Sequence, residues 1–244
     1  MPMVRPTLAN RRDRLNGPAV PVFLLMTDQD RLPDPGPATA ALPAGSGVIL
    51  RHRDDGGRRA LMDRLEDRRT RRHLVFLVAN DWRRALAPAG PGPRLGGLHL
   101  SEAALRHGPG TWRRVRRRPG FLVTAAAHGP RGLQAARHAG VDAVLLAPVM
   151  PTASHPEASH LGLLRFARLV RSAGVPVYAL GGVGLAMAGR LARAGAAGMA
   201  GIGLFTAAGG RDLDRARTAF SRRRKSCMNP VSGGNDRADH LGKS

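Results

Sequence analysis

Cysteine is almost missing from this chain. Cys227 is the only one in 244 residues, which excludes an internal disulfide and any cysteine-rich metal centre. It lies in a polar stretch close to the end, a poor setting for a catalytic thiolate. Lysine is nearly as scarce. Lys225 and Lys243 are the only two, so the body of the chain contains no lysine for Schiff-base chemistry. Aromatic residues make up 4%, which leaves leucine, valine and alanine to fill the core. Long hydrophobic runs are absent too: the stretch from Val141 to Val149 is interrupted by Asp142 and falls far short of the roughly 20 apolar residues that cross a bilayer. Arg5, Arg11, Arg12 and Arg14 open the chain with no apolar stretch behind them, so no signal peptide is expected. These absences predict a cytoplasmic protein with no membrane partner.

Negative charge is also in short supply. Asp and Glu number 17 against 39 Lys and Arg, for a formal net charge of +22. Such a balance raises the question of nucleic acid. The positive charge is spread over many segments that read as amphipathic helices, however, and it is almost all arginine. The densest run, Arg113 to Arg118, has only Trp112 beside it and no platform of aromatics on which single strands could stack. A solvated basic surface is the expectation, with no specific nucleic-acid partner.

What is present is a repeat of short apolar runs: Val20 to Met26, Gly47 to Arg51, His73 to Ala79, Gly96 to Leu100, Gly120 to Ala125, Asp142 to Ala147, Val175 to Leu180 and Ala197 to Gly203. Most are continuous rather than alternating, as in parallel strands covered on both faces. Between them, residues 58–71, 101–117, 130–139, 161–173 and 185–194 carry apolar residues at helical spacing, for example Leu161, Leu164, Ala167 and Leu169. Eight strand–helix repeats predict an α/β protein of the (β/α)8 TIM-barrel class. The connections at 28–46 and 81–95, rich in Pro and Gly, allow little more than a short helix, and an open doubly wound sheet is the competing architecture. Residues 1–18 read as an N-terminal arm, 19–220 as the barrel, and 221–244 as a disordered polar tail.

In a barrel, the residues at the C-terminal strand ends face the mouth where ligands bind. Here these are Thr27 and Asp28, Arg51 and Arg53, Asn80 and Asp81, His99, His128, Thr152 with Ser154 and His155, Gly181 and Gly182, and Gly203. The glycine-rich turns 179–184 and 198–205 would let the backbone approach a phosphate, or they simply connect elements tightly. Arg51 and Arg53, on alternate positions, point the same way and suit a diphosphate, or they pair with Asp54 or Asp55. Asp81 could contribute a carboxylate to a magnesium ion or cap a helix starting near Trp82.

The segments GLHLSEAAL (97–105), TAAAHGPRGLQAARHAGVDAVLLAPVMPTASHP (124–156) and VPVYALGGVGLAMAGRLARAGAAGMAGIGLF (175–205) resemble thiamine phosphate synthases and their thiazole tautomerase relatives. LLMTDQD and VAND fit as well, so the resemblance covers about three-quarters of the chain. It implies a transferase that joins a hydroxymethylpyrimidine diphosphate to a thiazole phosphate, releases pyrophosphate and uses Mg2+. Carried across, Arg51, Arg53, Asn80 and Asp81 would hold diphosphate and metal, with Asp81 as the metal ligand. Thr152, Ser154, Gly182, Ile202 and Gly203 would surround the thiazole phosphate, and Arg51, Asn80 and His155 would serve the chemistry. The expected partners are phosphorylated small molecules, and self-association as a homodimer is left open.

The chain also departs from that family. Ile49 replaces a glutamine, Ala104 the second magnesium aspartate (Glu102 lies nearby), and Ala126 a serine. His155 and Arg53 each replace a lysine, and Pro148 falls where the tautomerase branch has its histidine. A tautomerase-like isomerase and a non-catalytic phosphate-ligand barrel are the alternative readings.

Overall fold

The structure, a computed structural model, describes residues 20–52, 54–86, 95–106, 120–152, 157, 159–206 and 209–228. Eight parallel strands close into a barrel in sequence order: β1 (Phe23–Met26), β2 (Gly47–Leu50), β3 (Val75–Ala79), β4 (Gly97–Leu100), β5 (Leu122–Ala127), β6 (Ala143–Leu146), β7 (Val177–Leu180) and β8 (Gly198–Gly201). Closure comes from β1 pairing with β8, Leu24 opposite Ala200, which rules out the open sheet. A helix follows every strand: α1 (Gly36–Ala41), α2 (Asp55–Arg72), α3 (Trp82–Leu86), α4 (Glu102–Arg106), α5 (Pro130–Ala139), α6 (Gly162–Ala173), α7 (Ala188–Arg193) and α8 (Gly210–Met228). The connections expected to hold only short helices contain α1 and α3.

The continuous apolar runs are explained by two cores. Inside the barrel, Leu24, Met26, Ile49, Leu77, Leu122, Leu145 and Tyr178 pack on one another. Outside it, Phe23, Leu25, Val48, Phe76, Val144 and their neighbours pack under the helices. With few aromatics, the interior is filled by pairing large residues with glycine. A Cβ on Gly97 would lie 2.7 Å from Leu77, and one on Gly198 would lie 2.6 Å from Tyr178. Neither strand start can therefore carry a side chain while those fillers stay in place. The buried Tyr178 hydroxyl donates to the Pro21 carbonyl, which satisfies the one polar atom such a filler brings.

Helix ends follow local chemistry. Asp54 Oδ1 accepts from Gly57 N at 2.5 Å to start α2. Gly140 and Gly174 end α5 and α6 in the left-handed conformation. α8 holds Leu213, Ala216 and Phe220 buried at helical spacing. It then continues as helix to Met228, past the Ser221 boundary suggested by composition. The arm at 1–18, residues 229–244, the Arg113–Arg118 run, and Arg53, Ser154 and His155 lie outside the described residues. No helix among the described residues is long and apolar enough to cross a membrane.

Candidate functional site

Two cavities open at the C-terminal ends of the strands. The first, about 440 Å3, is lined by residues following β1, β2 and β3, among them Asp28, Arg51, His52, Asn80, Asp81 and, from α2, Arg58. The second, about 500 Å3, is lined by the turns after β7 and β8, with Thr152, Gly182, Ile202 and Gly203 joined by Arg31. Of the strand-end residues, Asp28, Arg51, Asn80 and Asp81 fall in the first cavity and Thr152, Gly181, Gly182 and Gly203 in the second, whereas Thr27, His99 and His128 line neither.

The glycine cavity depends on backbone geometry. Gly181 and Gly182 have φ of +87° and +65°, the left-handed region that favours glycine. A Cβ on Gly182 would lie 2.6 Å from the Met150 carbonyl oxygen. A Cβ on Gly203 would meet nothing within 4 Å, so the space before it is open. The turn leads into a 3-10 segment, Leu185–Met187, and then the six-residue α7. That is too short for a strong macrodipole, so any attraction for anions must come from the turn's own N–H groups and from Arg31.

Arg31 is held in place by Asp28. Its Nη2 donates to Asp28 Oδ2 at 2.7 Å, and its backbone N–H donates to Oδ1 at 3.1 Å. That bonding to Arg31 draws the Asp28 pKa down to about 2. Arg51 Nη1 stands 3.6 Å from the same oxygen, Oδ2. Asp28 therefore sits between an arginine of the first cavity and an arginine of the second. The partner of Arg51 is Asp28 rather than Asp54 or Asp55, and its backbone N–H donates to Thr27 Oγ1 at 3.0 Å.

Asp81 performs two tasks. Oδ1 accepts the Arg84 N–H at 2.9 Å and so caps α3. Oδ2 meets Arg58 Nη1 at 3.1 Å. Arg58 is 6% exposed, held by the face of α2 that also buries Leu61, Met62 and Leu65. Its spacing from Leu61 and Leu65 was the signal available in the sequence, and an inventory of strand ends overlooks it. Asn80 takes a left-handed φ of 55° and accepts the Ser101 N–H through Oδ1 at 2.7 Å, tying β3 to β4. Glu102 Oε2 accepts from both the backbone N and the Nδ1 of His128, at 2.8 and 2.9 Å. His99, buried beneath the mouth, contacts Thr124 Oγ1 through Nδ1 at 2.9 Å. Burial first, and the Arg51 charge second, lower its pKa to about 4.

The magnesium centre implied by the resemblance does not fit these donors. Both Asp81 oxygens are taken, one by a guanidinium, and Glu102 is committed to His128. Position 104 is alanine, and no cluster of three His, Cys, Asp or Glu suited to a metal exists among the described residues. A divalent ion at Asp81 would stand beside the Arg58 charge, a repulsion on the order of several kcal/mol at about 4 Å in a protein-like dielectric.

A (β/α)8 barrel with cavities at its C-terminal mouth belongs to the class that places its ligands there. The family model for thiamine monophosphate synthase matches residues 26–205, and the chain belongs to that family. Among its relatives, a thiamine-phosphate synthase of Myxococcus xanthus is 44% identical over 79 residues, 32% of this chain and 36% of that protein. Another, from Bordetella avium, is 34% identical over 144 residues, 55% of this chain and 62% of that one. The chain spans less than two-thirds of the length of the curated relatives it matches. In fold it is similar to a thiamine phosphate pyrophosphorylase from Pyrococcus furiosus, with TM-score 0.58 and 19% identity over 85% of this chain and 96% of that one.

Proposed function

We propose that the protein is a thiamine phosphate synthase-like transferase that joins hydroxymethylpyrimidine diphosphate to thiazole phosphate. The observation that carries this reading is the pair of cavities at one mouth, one offering arginines among as many aspartates and one lined by glycines, with Asp28 between them. A reaction joining two phosphorylated molecules needs two anion sites close enough for their organic parts to meet. In the step itself the pyrimidine C–O bond breaks and its electron pair leaves with the diphosphate. The thiazole nitrogen then gives its lone pair to the resulting cation, forming the new C–N bond.

Such a reaction needs charge stabilisation more than proton transfer. Arg51 would take charge developing on the leaving diphosphate, and Asn80 would orient it from the end of β3. Thr152, Gly182, Ile202 and Gly203 would hold the thiazole phosphate, with Arg31 supplying the positive charge. Arg53, Ser154 and His155 belong to this assignment on the strength of the family resemblance. The partners are phosphorylated small molecules, with no specific nucleic acid and no membrane, in the cytoplasm, and a homodimer is compatible with this reading.

One observation favours a second reading. Asp81 is occupied by Arg58 and the α3 cap, and Ala104 and Ala126 stand where the family uses polar groups. A non-catalytic barrel that binds phosphate ligands would keep the glycine cavity and dispense with the rest. Incubation with both precursors, followed by measurement of pyrophosphate and of thiazole phosphate binding by calorimetry, separates the two. Release of pyrophosphate supports the transferase, whereas thiazole phosphate binding without release supports the binding barrel.

A further inference from the structure

Two buried side-chain polar atoms lack a hydrogen-bond partner among the described residues, Arg58 Nε and His52 Nδ1. Both residues line the cavity after β1–β3. Buried polar atoms are normally satisfied, and an unpaired one asks for an absent water, ion or ligand. Both atoms belong to residues that line one cavity, and a small turn of each side chain toward it would let a ligand that accepts hydrogen bonds satisfy them.

The guanidinium of Arg58 has two usable edges. Nη1 is spent on Asp81 at 3.1 Å. The other edge is formed by Nε, unpartnered, and Nη2, which meets Asp55 at 2.5 Å. The Asp55 side chain is 73% exposed, and an exposed carboxylate holds a cation weakly. That edge can therefore exchange Asp55 for a better acceptor. Paired N–H donors of a guanidinium match two oxygens of a phosphate group. Burial lowers the His52 pKa, so the ring is neutral near pH 7 and can offer a single N–H.

We propose that this cavity is a metal-independent site for a diphosphate group, bound by the Nε–Nη2 edge of Arg58 and by His52 Nδ1–H, with the Arg58 charge standing where a divalent cation would otherwise bridge Asp81 and ligand. Three arginines and three aspartates line the cavity, so bulk attraction is small and recognition depends on placed donors. This deepens the proposed transferase by assigning the cation of its diphosphate half, yet it requires only binding.

The test is calorimetric titration of the full chain with inorganic pyrophosphate, in excess EDTA and in excess MgCl2. Binding is expected in EDTA, with no strengthening by Mg2+. Arg58→Lys keeps the charge but loses the paired donors and should weaken binding by about tenfold or more. His52→Leu removes the other donor and should weaken it several-fold, which keeps the test sound should Arg58→Lys fail to fold. Arg59→Gln, an exposed neighbour on α2, should bind as the wild type does. Binding that needs Mg2+, absence of binding in either buffer, wild-type affinity in His52→Leu or in a folded Arg58→Lys, or an equal loss in Arg59→Gln would each overturn the proposal. The precursor assay stands apart. Turnover strictly dependent on Mg2+ would keep the transferase and sink this inference, whereas pyrophosphate binding in EDTA without turnover would do the reverse.

Discussion

Asp81 and Arg58 form an ion pair at 3.1 Å between the end of β3 and the first turn of α2. The arginine side chain is 7% exposed and the aspartate 23%. Removing one partner of such a pair strands a buried charge, which costs more than the pair contributes. Asp81→Asn keeps an oxygen for the Arg84 N–H but deprives Arg58 of its counter-charge. It should lower stability by about 1–3 kcal/mol, less than a fully buried pair because Asp55 still faces Nη2. Asp81→Ala also loses the helix cap and should cost about 1 kcal/mol more. Urea denaturation of the two variants checks the order, and equal stabilities would mean that the cap is energetically silent.

A second prediction concerns pH. His99 has its pKa lowered from 6.5 to about 4 because burial disfavours the charged ring. Below pH 6.5 the unfolded chain takes up the proton first, so unfolding gains as pH falls. The contribution is complete above pH 6.5 and is lost as pH falls toward about 4, by on the order of 2–3 kcal/mol. His99→Gln should flatten that part of the stability curve. An unchanged slope in the variant would show that other groups control it.

The eight strands were legible in the sequence because both faces of each are buried, one by the barrel interior and one by helices, so the apolar runs are unbroken. Closure then fixes which residues reach the mouth, and for that reason Arg51, Asn80, Asp81, Thr152, Gly182 and Gly203 line cavities. Arg58 and Arg31 were not legible in the same way. Arg58 enters the cavity from a helix and is fixed by Asp81 across 23 positions of sequence, a pairing that only the fold brings about. Arg31 is held by Asp28 three positions away, a local pair whose place at the second cavity is set by the loop after β1. Of the two readings of Asp81, metal ligand or helix cap, the structure shows the cap through one oxygen, and the other oxygen holds Arg58, a partner neither reading contained. The end of α8 was hidden because the sequence after Phe220 turns polar and basic, Ser221 to Lys225, while the helix continues to Met228.

Glycine substitutions separate folding from binding at the second cavity. Gly203→Ala adds a methyl group to open space, so the melting temperature should stay within about 2 °C of wild type while thiazole phosphate binding weakens. Gly182→Ala forces a side chain into the left-handed region and against the Met150 carbonyl, which should cost about 1–3 kcal/mol of stability. Calorimetry with thiazole phosphate on a folded Gly203→Ala is decisive: wild-type affinity would remove that turn from the site.

The link between the two cavities can be tested through Asp28. Its carboxylate holds Arg31 at 2.7 Å and faces Arg51 at 3.6 Å, and Arg31 keeps its pKa near 2. The stability this brings is present above about pH 3.8 and is lost as pH falls toward 2. Arg31 is 41% exposed, and solvent screening reduces the gain to about 1 kcal/mol. Asp28→Asn and Arg31→Ala should each cost about that much near pH 7. Because both remove the same interaction, the double variant should be little worse than either single one. At pH 2 Asp28 is partly protonated in the wild type, and the differences should shrink. Additive losses at neutral pH would mean that the two side chains act independently, and that Asp28 does not tie the arginine of one cavity to the arginine of the other.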